Sequence, residues 1–299
     1  MTCLSRTSLP RGLESVLFSI VVGMAGGCAS FPEAPILEKP GDSAAALTAS
    51  RLDALLPADV LLVGEQHDAA EHQQIEQQVI AVLASRGLLA ALALEMADAG
   101  VSTASLKPSA TDKQTRRALK WDDKAWPWQA YGPAVMTAVR AGVPVLGANL
   151  PRTAMQTSMS DSKLDAQLPG PALKAQQQEI RIGHCNLLPE SQIQPMTRIQ
   201  IARDISMAAT LSQALLPGKV VVLLSGNGHA DRKLGVPQHL RADLKAKSIQ
   251  LRAGDARASE SAGTFDAVWP TPALPETDHC DRLREQFTPR SGSAAEAKP

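Results

Sequence analysis

Val60-Leu61-Leu62-Val63-Gly64-Glu65-Gln66-His67-Asp68 is a short apolar run that breaks at a glycine and at once presents Glu65, His67 and Asp68. A run of this length, rich in β-branched residues and closed by glycine, reads as a buried strand. The construction recurs far along the chain, where Val220-Val221-Val222-Leu223-Leu224-Ser225 leads into Gly226-Asn227-Gly228-His229. Strands alternating with helices indicate an α/β fold, and in an open α/β sheet ligands bind beyond the carboxyl ends of the strands. Two strands that each end in Gly-x-x-His are therefore the main functional signal.

The remaining elements follow outward from these two. After Asp68, in N-cap position, Ile75, Val79, Val82 and Leu83 form one stripe of a helix over 69–86, and His72 lies on that stripe. Gly87 ends it, and 88–94 reads as a strand delivering Glu95. A helix over 131–141 precedes a strand over 142–148 that exits at Asn149, Leu150, Pro151 and Arg152. Helices are expected over 175–181, 196–215 and 240–247, and strands over 248–252 and 265–269. In the long helix, Gln200 and Arg203 interrupt a stripe that includes Met196, Met207 and Leu211, with Asp204 beside them. Such polar groups face one another or a ligand.

The two ends of the chain read differently. Arg6 and Arg11, the apolar stretch 16–25 and Ala25-Gly26-Gly27-Cys28 follow the order of a secretory signal. A cysteine directly after small residues resembles a bacterial lipobox, with Ala25 where leucine is usual. This assigns 1–27 to a lipoprotein signal peptide and Cys28 to lipidation. The chain is thereby anchored in the outer membrane, since no aspartate follows Cys28. Residues 28–48 read as a Pro/Ala/Ser-rich tether, 49–287 as the folded domain and 288–299 as a disordered tail. Cys185 and Cys280 remain; in an oxidising compartment they most simply form one disulfide, and a two-His, two-Cys zinc site with His184 and His279 is the alternative.

Composition and motifs exclude several functions. Thirty basic and thirty acidic residues give no electrostatic case for nucleic acid. Gly226-Asn227-Gly228 lacks the third glycine of a dinucleotide fingerprint, and neither a nucleophile elbow nor His-Glu-x-x-His occurs. What remains is a convergent set, Glu65, His67, Glu95 and His229, that could bind a divalent metal and activate water or order a crevice for another ligand. The chain has only nine aromatics, yet Trp121, Trp126, Trp128 and the only tyrosine, Tyr131, fall within eleven positions. They read equally as a satellite core and as a wall for a flat apolar ligand.

The ordered set of motifs resembles the ChaN family of haem-binding, iron-regulated bacterial lipoproteins, in the wider Tiki superfamily. The set comprises Gly64-Glu65-Gln66-His67 with His72, Glu95-Met96, Asn149-Leu150-Pro151-Arg152, and His184-Cys185 with Pro189. It continues with Met196 and Gln200, Arg203-Asp204, Met207-Ala208, and Gly226 to His229 with Gly235-Val236-Pro237. The resemblance implies a three-layer sandwich, with helices on both faces of a mainly parallel sheet, that binds haem. Tyr131 is the expected iron ligand, because tyrosinate is a known haem ligand class, with His67 or His72 as the competing imidazole. Trp128, Asn149, Arg152, Gln200, Arg203, Met207 and His229 complete the expected haem site. The resemblance also implies a homodimer with haems at its interface, an outer-membrane haem receptor as partner, and a Cys185–Cys280 disulfide. Without Cys-x-x-Cys-His the haem is exchangeable. The superfamily's hydrolases supply the rival reading, in which Glu65, His67, Glu95 and His229 are catalytic.

Overall fold

Every residue of Val60–Glu65 is buried, because both faces of this strand are covered. Leu61 and Val63 join Leu92, Leu94, Val222 and Leu224 in one apolar cluster, while Val60 and Leu62 join Ala91, Ala93, Val221 and Leu223 in another. The period of two thus supplies a core to each side of one sheet, the pattern of a parallel sheet between two helical layers.

The computed structural model describes residues 40–254, 263–275, 280–281 and 283–284. The helices are α1 (Pro40–Asp53), α2 (Ala70–Ser85), α3 (Asp112–Ala118), α4 (Trp128–Arg140), α5 (Arg152–Ser160), α6 (Gly170–Gly183), α7 (Glu190–Gln213) and α8 (Asn227–Ala230). The strands are β1 (Val60–Glu65), β2 (Leu89–Asp98), β3 (Val145–Asn149), β4 (Val220–Gly226), β5 (Ala246–Ala253) and β6 (Ala267–Thr271). They form one all-parallel six-stranded sheet in the order β3-β2-β4-β1-β5-β6.

Parallel crossovers are right-handed, so connections stepping in opposite directions place their helices on opposite faces. The steps β1 to β2 to β3 carry α2 and α4, whose Val79, Ile80, Leu83, Val135 and Ala138 cover the Leu61/Val63 face. The steps back, β3 to β4 to β5, carry α7 and α8, whose Met207, Ala208, Leu211 and Ala230 cover the Val60/Leu62 face. The direction changes between the neighbouring strands β1 and β4. That is the topological switch point, where the ends of two strands splay toward opposite faces and leave a crevice.

Several expectations are corrected. Residues 40–48, expected as tether, belong to α1; its alanines are the best helix formers, and it docks through fully buried Leu52 and a bond from Thr48 to Gln78 of 2.7 Å. No helix forms over 240–247. Lys245 already exchanges hydrogen bonds with Asp59, ahead of β1, which draws the following residues into the sheet as β5. Helix α5 buries none of its residues and so had no apolar stripe to reveal it. Cys185 and Cys280 form a disulfide, which consumes both sulfurs that a zinc site would need; His279 lies outside the described residues. The signal peptide, Cys28, the tether up to residue 39 and the tail over 288–299 also lie outside them. Among the described residues no helix is long and apolar enough to cross a membrane.

Candidate functional site

At the switch point Gly64 pairs with Ser225 and Glu65 with Gly226, so the two Gly-x-x-His segments leave the sheet side by side. Both exits are crowded at the glycine. A Cβ on Gly64 would lie 2.7 Å from Asn227 Oδ1, and one on Gly226 would lie 3.0 Å from His67 Nε2. The two loops approach as closely as they do because neither carries a side chain at the contact.

Strand alternation sends the two carboxylates to opposite faces. Glu65 follows Leu61 and Val63 toward α2 and α4, where Gln73 and the Tyr131 hydroxyl (2.8 Å) donate to it. His67 Nδ1 lies 2.7 Å from the same carboxylate. Glu95 follows Ala91 and Ala93 toward α7, where it accepts from Arg203 (2.6 Å) and from the backbone N–H of Gly226 (2.7 Å). Arg203 also donates to Asn149 Oδ1 at 2.9 Å, and Asn149 in turn donates to the Glu95 carbonyl at 2.8 Å. His229 Nδ1 is 2.6 Å from Asp204, its Nε2 is 3.5 Å from Glu95, and the Gln200 amide lies beside the ring. His67 joins the two networks over the end of the sheet, with Nε2 3.9 Å from Glu95.

Burial and charge set the protonation states. Burial works against a charge on Glu95, yet His229, Arg203 and His67 hold its carboxyl well below the usual carboxylate range. Burial and the Glu65 charge together push Tyr131 far above an ordinary phenol. Glu76 is fully buried on α2; burial and the charges of Glu65 and Glu95 hold its pKa well above the usual carboxylate range, and neither of its oxygens is hydrogen-bonded among the described residues. Burial disfavours a charge on His67, but its bond to Glu65 and the charge of Glu95 outweigh this and raise its pKa. For His229 burial is likewise overcome by Glu95 and Asp204, and its pKa is raised to about 9 from 6.5.

The sign of the last shift yields a prediction. A histidine bound more tightly to its proton when folded stabilises the fold fully below pH 6.5 and loses that contribution as pH rises through about 9. The loss over that window is about 3 kcal/mol. The urea midpoint is expected to fall across it, and His229→Gln is expected to flatten the fall; a wild-type midpoint that holds steady overturns the assignment.

Beyond β2 and β3, next to this cluster, lies a cavity of about 730 Å³ lined by Glu95, Asn149, Arg152, Arg203, Lys120 and Trp126, among others. Seven of its lining residues are ones the sequence singled out: Glu95, Met96, Asn149, Pro151, Arg152, Arg203 and Trp126. His67 is not one of the lining residues but neighbours two that are: 41% of its side chain is exposed, its Nε2 lies 3.9 Å from Glu95 and its ring 4.9 Å edge-to-face from Trp126. The other expected residues stand elsewhere. Tyr131 is 1% exposed, enclosed by Trp121 and Trp126 and bonded to Glu65. His72 is fully buried, and both its nitrogens are engaged: Nδ1 accepts from the Gln66 N–H and Nε2 meets Thr271 Oγ1, each at 3.0 Å. Burial lowers its pKa to about 4. Trp128 is buried and donates to Asp112, so of the aromatic group only Trp126 lines the cavity. Met207 is a core residue under the sheet, because its turn of α7 faces β-strand methyl groups. Gln200 and His229 belong to the Asp204 network. Lys120, Asp98 and Asp122 line the cavity without any sequence motif to mark them.

Residues 51–240 match the family described as haem-binding uptake, Tiki superfamily, ChaN. Among solved structures, ChaN of Campylobacter jejuni, which shows cofacial haem binding, is 25% identical with a TM-score of 0.56, covering 73% of this chain and 88% of that one. The type III effector HopBA1 is 17% identical, with a TM-score of 0.44, over 76% of this chain and 94% of that one. The RRSP effector domain of a Vibrio vulnificus MARTX toxin is 14% identical, with a TM-score of 0.39, over 74% of this chain and 39% of that one. No curated protein sequence matches the chain.

Proposed function

This chain belongs to the ChaN family of haem-binding uptake proteins in the Tiki superfamily, and from that premise we propose that it binds haem in the cavity beyond β2 and β3, with His67 as iron ligand. The observation that carries the choice of ligand is the state of its ring. Glu65 accepts from Nδ1–H, which leaves Nε2, beside the cavity-lining Glu95 and Trp126, as the nitrogen available to iron when it carries no proton. A carboxylate behind the imidazole is the usual arrangement for a metal-ligating histidine. Tyr131 would have to lose its proton beside a buried carboxylate, and His72 would have to break two hydrogen bonds. Trp126 provides an aromatic wall, and the volume falls in the range of small-molecule sites.

The protein then acts in haem uptake at the cell envelope, held by a lipid on Cys28 in the outer membrane, passing exchangeable haem to or from a receptor. Pairing of two copies so that their haems meet is supported by the cofacial binding in the Campylobacter jejuni relative. The second reading, a metal-dependent hydrolase, draws on the convergence of Glu65, His67, Glu95 and His229. Against it, Glu95 is already committed to Arg203 and Gly226, and no group of three or more His, Cys, Asp or Glu among the described residues is arranged to hold a metal ion.

The test is a haemin titration of the domain without Cys28, followed by visible spectroscopy. Wild type and Tyr131→Phe are expected to give the same saturable histidine-type spectrum. His67→Ala is expected to lose that spectrum and to bind haemin more weakly. A tyrosinate charge-transfer band lost in Tyr131→Phe overturns the ligand assignment. Absence of saturable binding, with stoichiometric divalent metal in the purified protein, returns the hydrolase.

A further inference from the structure

Among the described residues, four helices end in the same backbone motif. In each, the N–H one residue past the cap bonds back to the third-last turn position and the next N–H to the fourth, which forces the first of these residues into the left-handed region. After α2 that residue is Gly87, at φ +67°, with Gly87 N–H to Ala84 and Leu88 N–H to Leu83. After α4 it is Gly142, at φ +72°, bonded in the same way to Val139 and, through Val143, to Ala138. Glycine is the default there because a Cβ costs roughly 1–2 kcal/mol in that conformation. Two helices depart from the default. After α6 the position is Cys185, at φ +55°, and its side chain is needed for the disulfide. After α3 it is Lys120, at φ +48°, with Lys120 N–H to Arg117 and Trp121 N–H to Arg116.

A lysine held in a glycine's place points to a use for its ammonium group, and Lys120 lines the cavity beside β2 and β3. Arg152, the exposed first residue of α5, lines it as well. Neither cation has a hydrogen-bond or ion-pair partner among the described residues, whereas Arg203, the third cation of the wall, is committed to Glu95 and Asn149. Of the carboxylates on the same wall, Glu95 is neutralised by Arg203, and Asp122 accepts from the backbone N–H groups of Lys124 and Ala125. Asp98 is exposed at the end of β2 and opposes any anion bound near it.

We propose that Lys120 and Arg152 are specificity residues that recognise the two propionate carboxylates of the porphyrin, so that the cavity selects a dicarboxylate tetrapyrrole over an uncharged one. This rests on the haem reading above and adds to it a residue, Lys120, that no motif marks. Lysine at this position sacrifices cap stability for a charge at the site, the exchange expected where local strain serves binding.

The experiment compares haemin with its dimethyl ester, which keeps the iron and ring and loses both charges, on wild type, Lys120→Gly and Arg152→Gln. Wild type is expected to prefer haemin. Each substitution is expected to weaken haemin binding by about five- to tenfold while leaving ester binding unchanged. Lys120→Gly is also expected to raise the melting temperature, because it restores the residue that the motif favours; this separates lost recognition from lost structure. Equal affinity of wild type for haemin and ester, or an equal loss for both in Lys120→Gly, overturns the proposal while leaving the haem reading intact. Failure of wild type to bind either porphyrin sinks both.

Discussion

Replacing Glu95 by alanine is expected to lower the unfolding free energy by about 3–5 kcal/mol near neutral pH, the cost of leaving buried charge unpaired. Glu95 is 3% exposed and receives the Arg203 guanidinium and the Gly226 N–H, with His229 Nε2 at 3.5 Å. Removing it takes one shared acceptor from a guanidinium, a buried imidazolium and a backbone donor together. Glu95→Gln is expected to cost less, since the amide oxygen still accepts from Arg203 or Gly226. The pH dependence identifies the cause. His229 loses its proton near pH 9 in the wild type and at lower pH without Glu95, so the Glu95→Ala deficit shrinks as pH rises. Urea denaturation at constant m reads this directly. A deficit under about 1 kcal/mol, the scale of a neutral hydrogen bond, would mean that the network contributes no more than an exposed ion pair.

The second large effect concerns the disulfide. Cys185 and Cys280 are 95 residues apart in sequence, and the loop-entropy relation for a crosslink of that span gives a stabilisation of about 4–5 kcal/mol as an upper value. The bridge ties the segment around Cys280 to the turn between α6 and α7, the helix that delivers Gln200, Arg203 and Asp204 to the site. Reduction is therefore expected to lower the melting temperature markedly. The double variant Cys185→Ser, Cys280→Ser is expected to melt at that lower temperature whether or not a reductant is present. Melting of the wild type that is insensitive to complete reduction would show that the crosslink constrains only chain that is already free in the native state.

The haem site and these stability effects are separable at His67 but not at Glu95. Glu95 lies on the cavity wall and 3.9 Å from His67 Nε2, whereas His67 is oriented by Glu65 on the α2/α4 face. His67→Ala, at a half-exposed ring, is therefore expected to remove the histidine-type spectrum and to leave stability nearly unchanged.

The sequence by itself determined the sheet. The two runs Val60–Val63 and Val220–Leu224 are apolar at every position, which only a strand covered on both faces tolerates, and their shared Gly-x-x-His endings lie side by side in the structure. It also marked most of the polar cluster, because charged and imidazole residues directly after buried strands are unusual wherever they occur. What it left open was where each marked side chain looks. Tyr131, His72, Trp128 and Met207 carried the same local signal as His67 and Arg203. They differ only in what α2, α4 and α7 press against them once the helices dock. Local periodicity records which face of an element is buried, but whether that face meets a packed neighbour or a cavity depends on segments many residues away. Lys120 is the extreme case. Nothing in the sequence around it marks a glycine's position, and only the backbone turn after α3, together with the cavity beside it, shows a cation where a glycine would cost less.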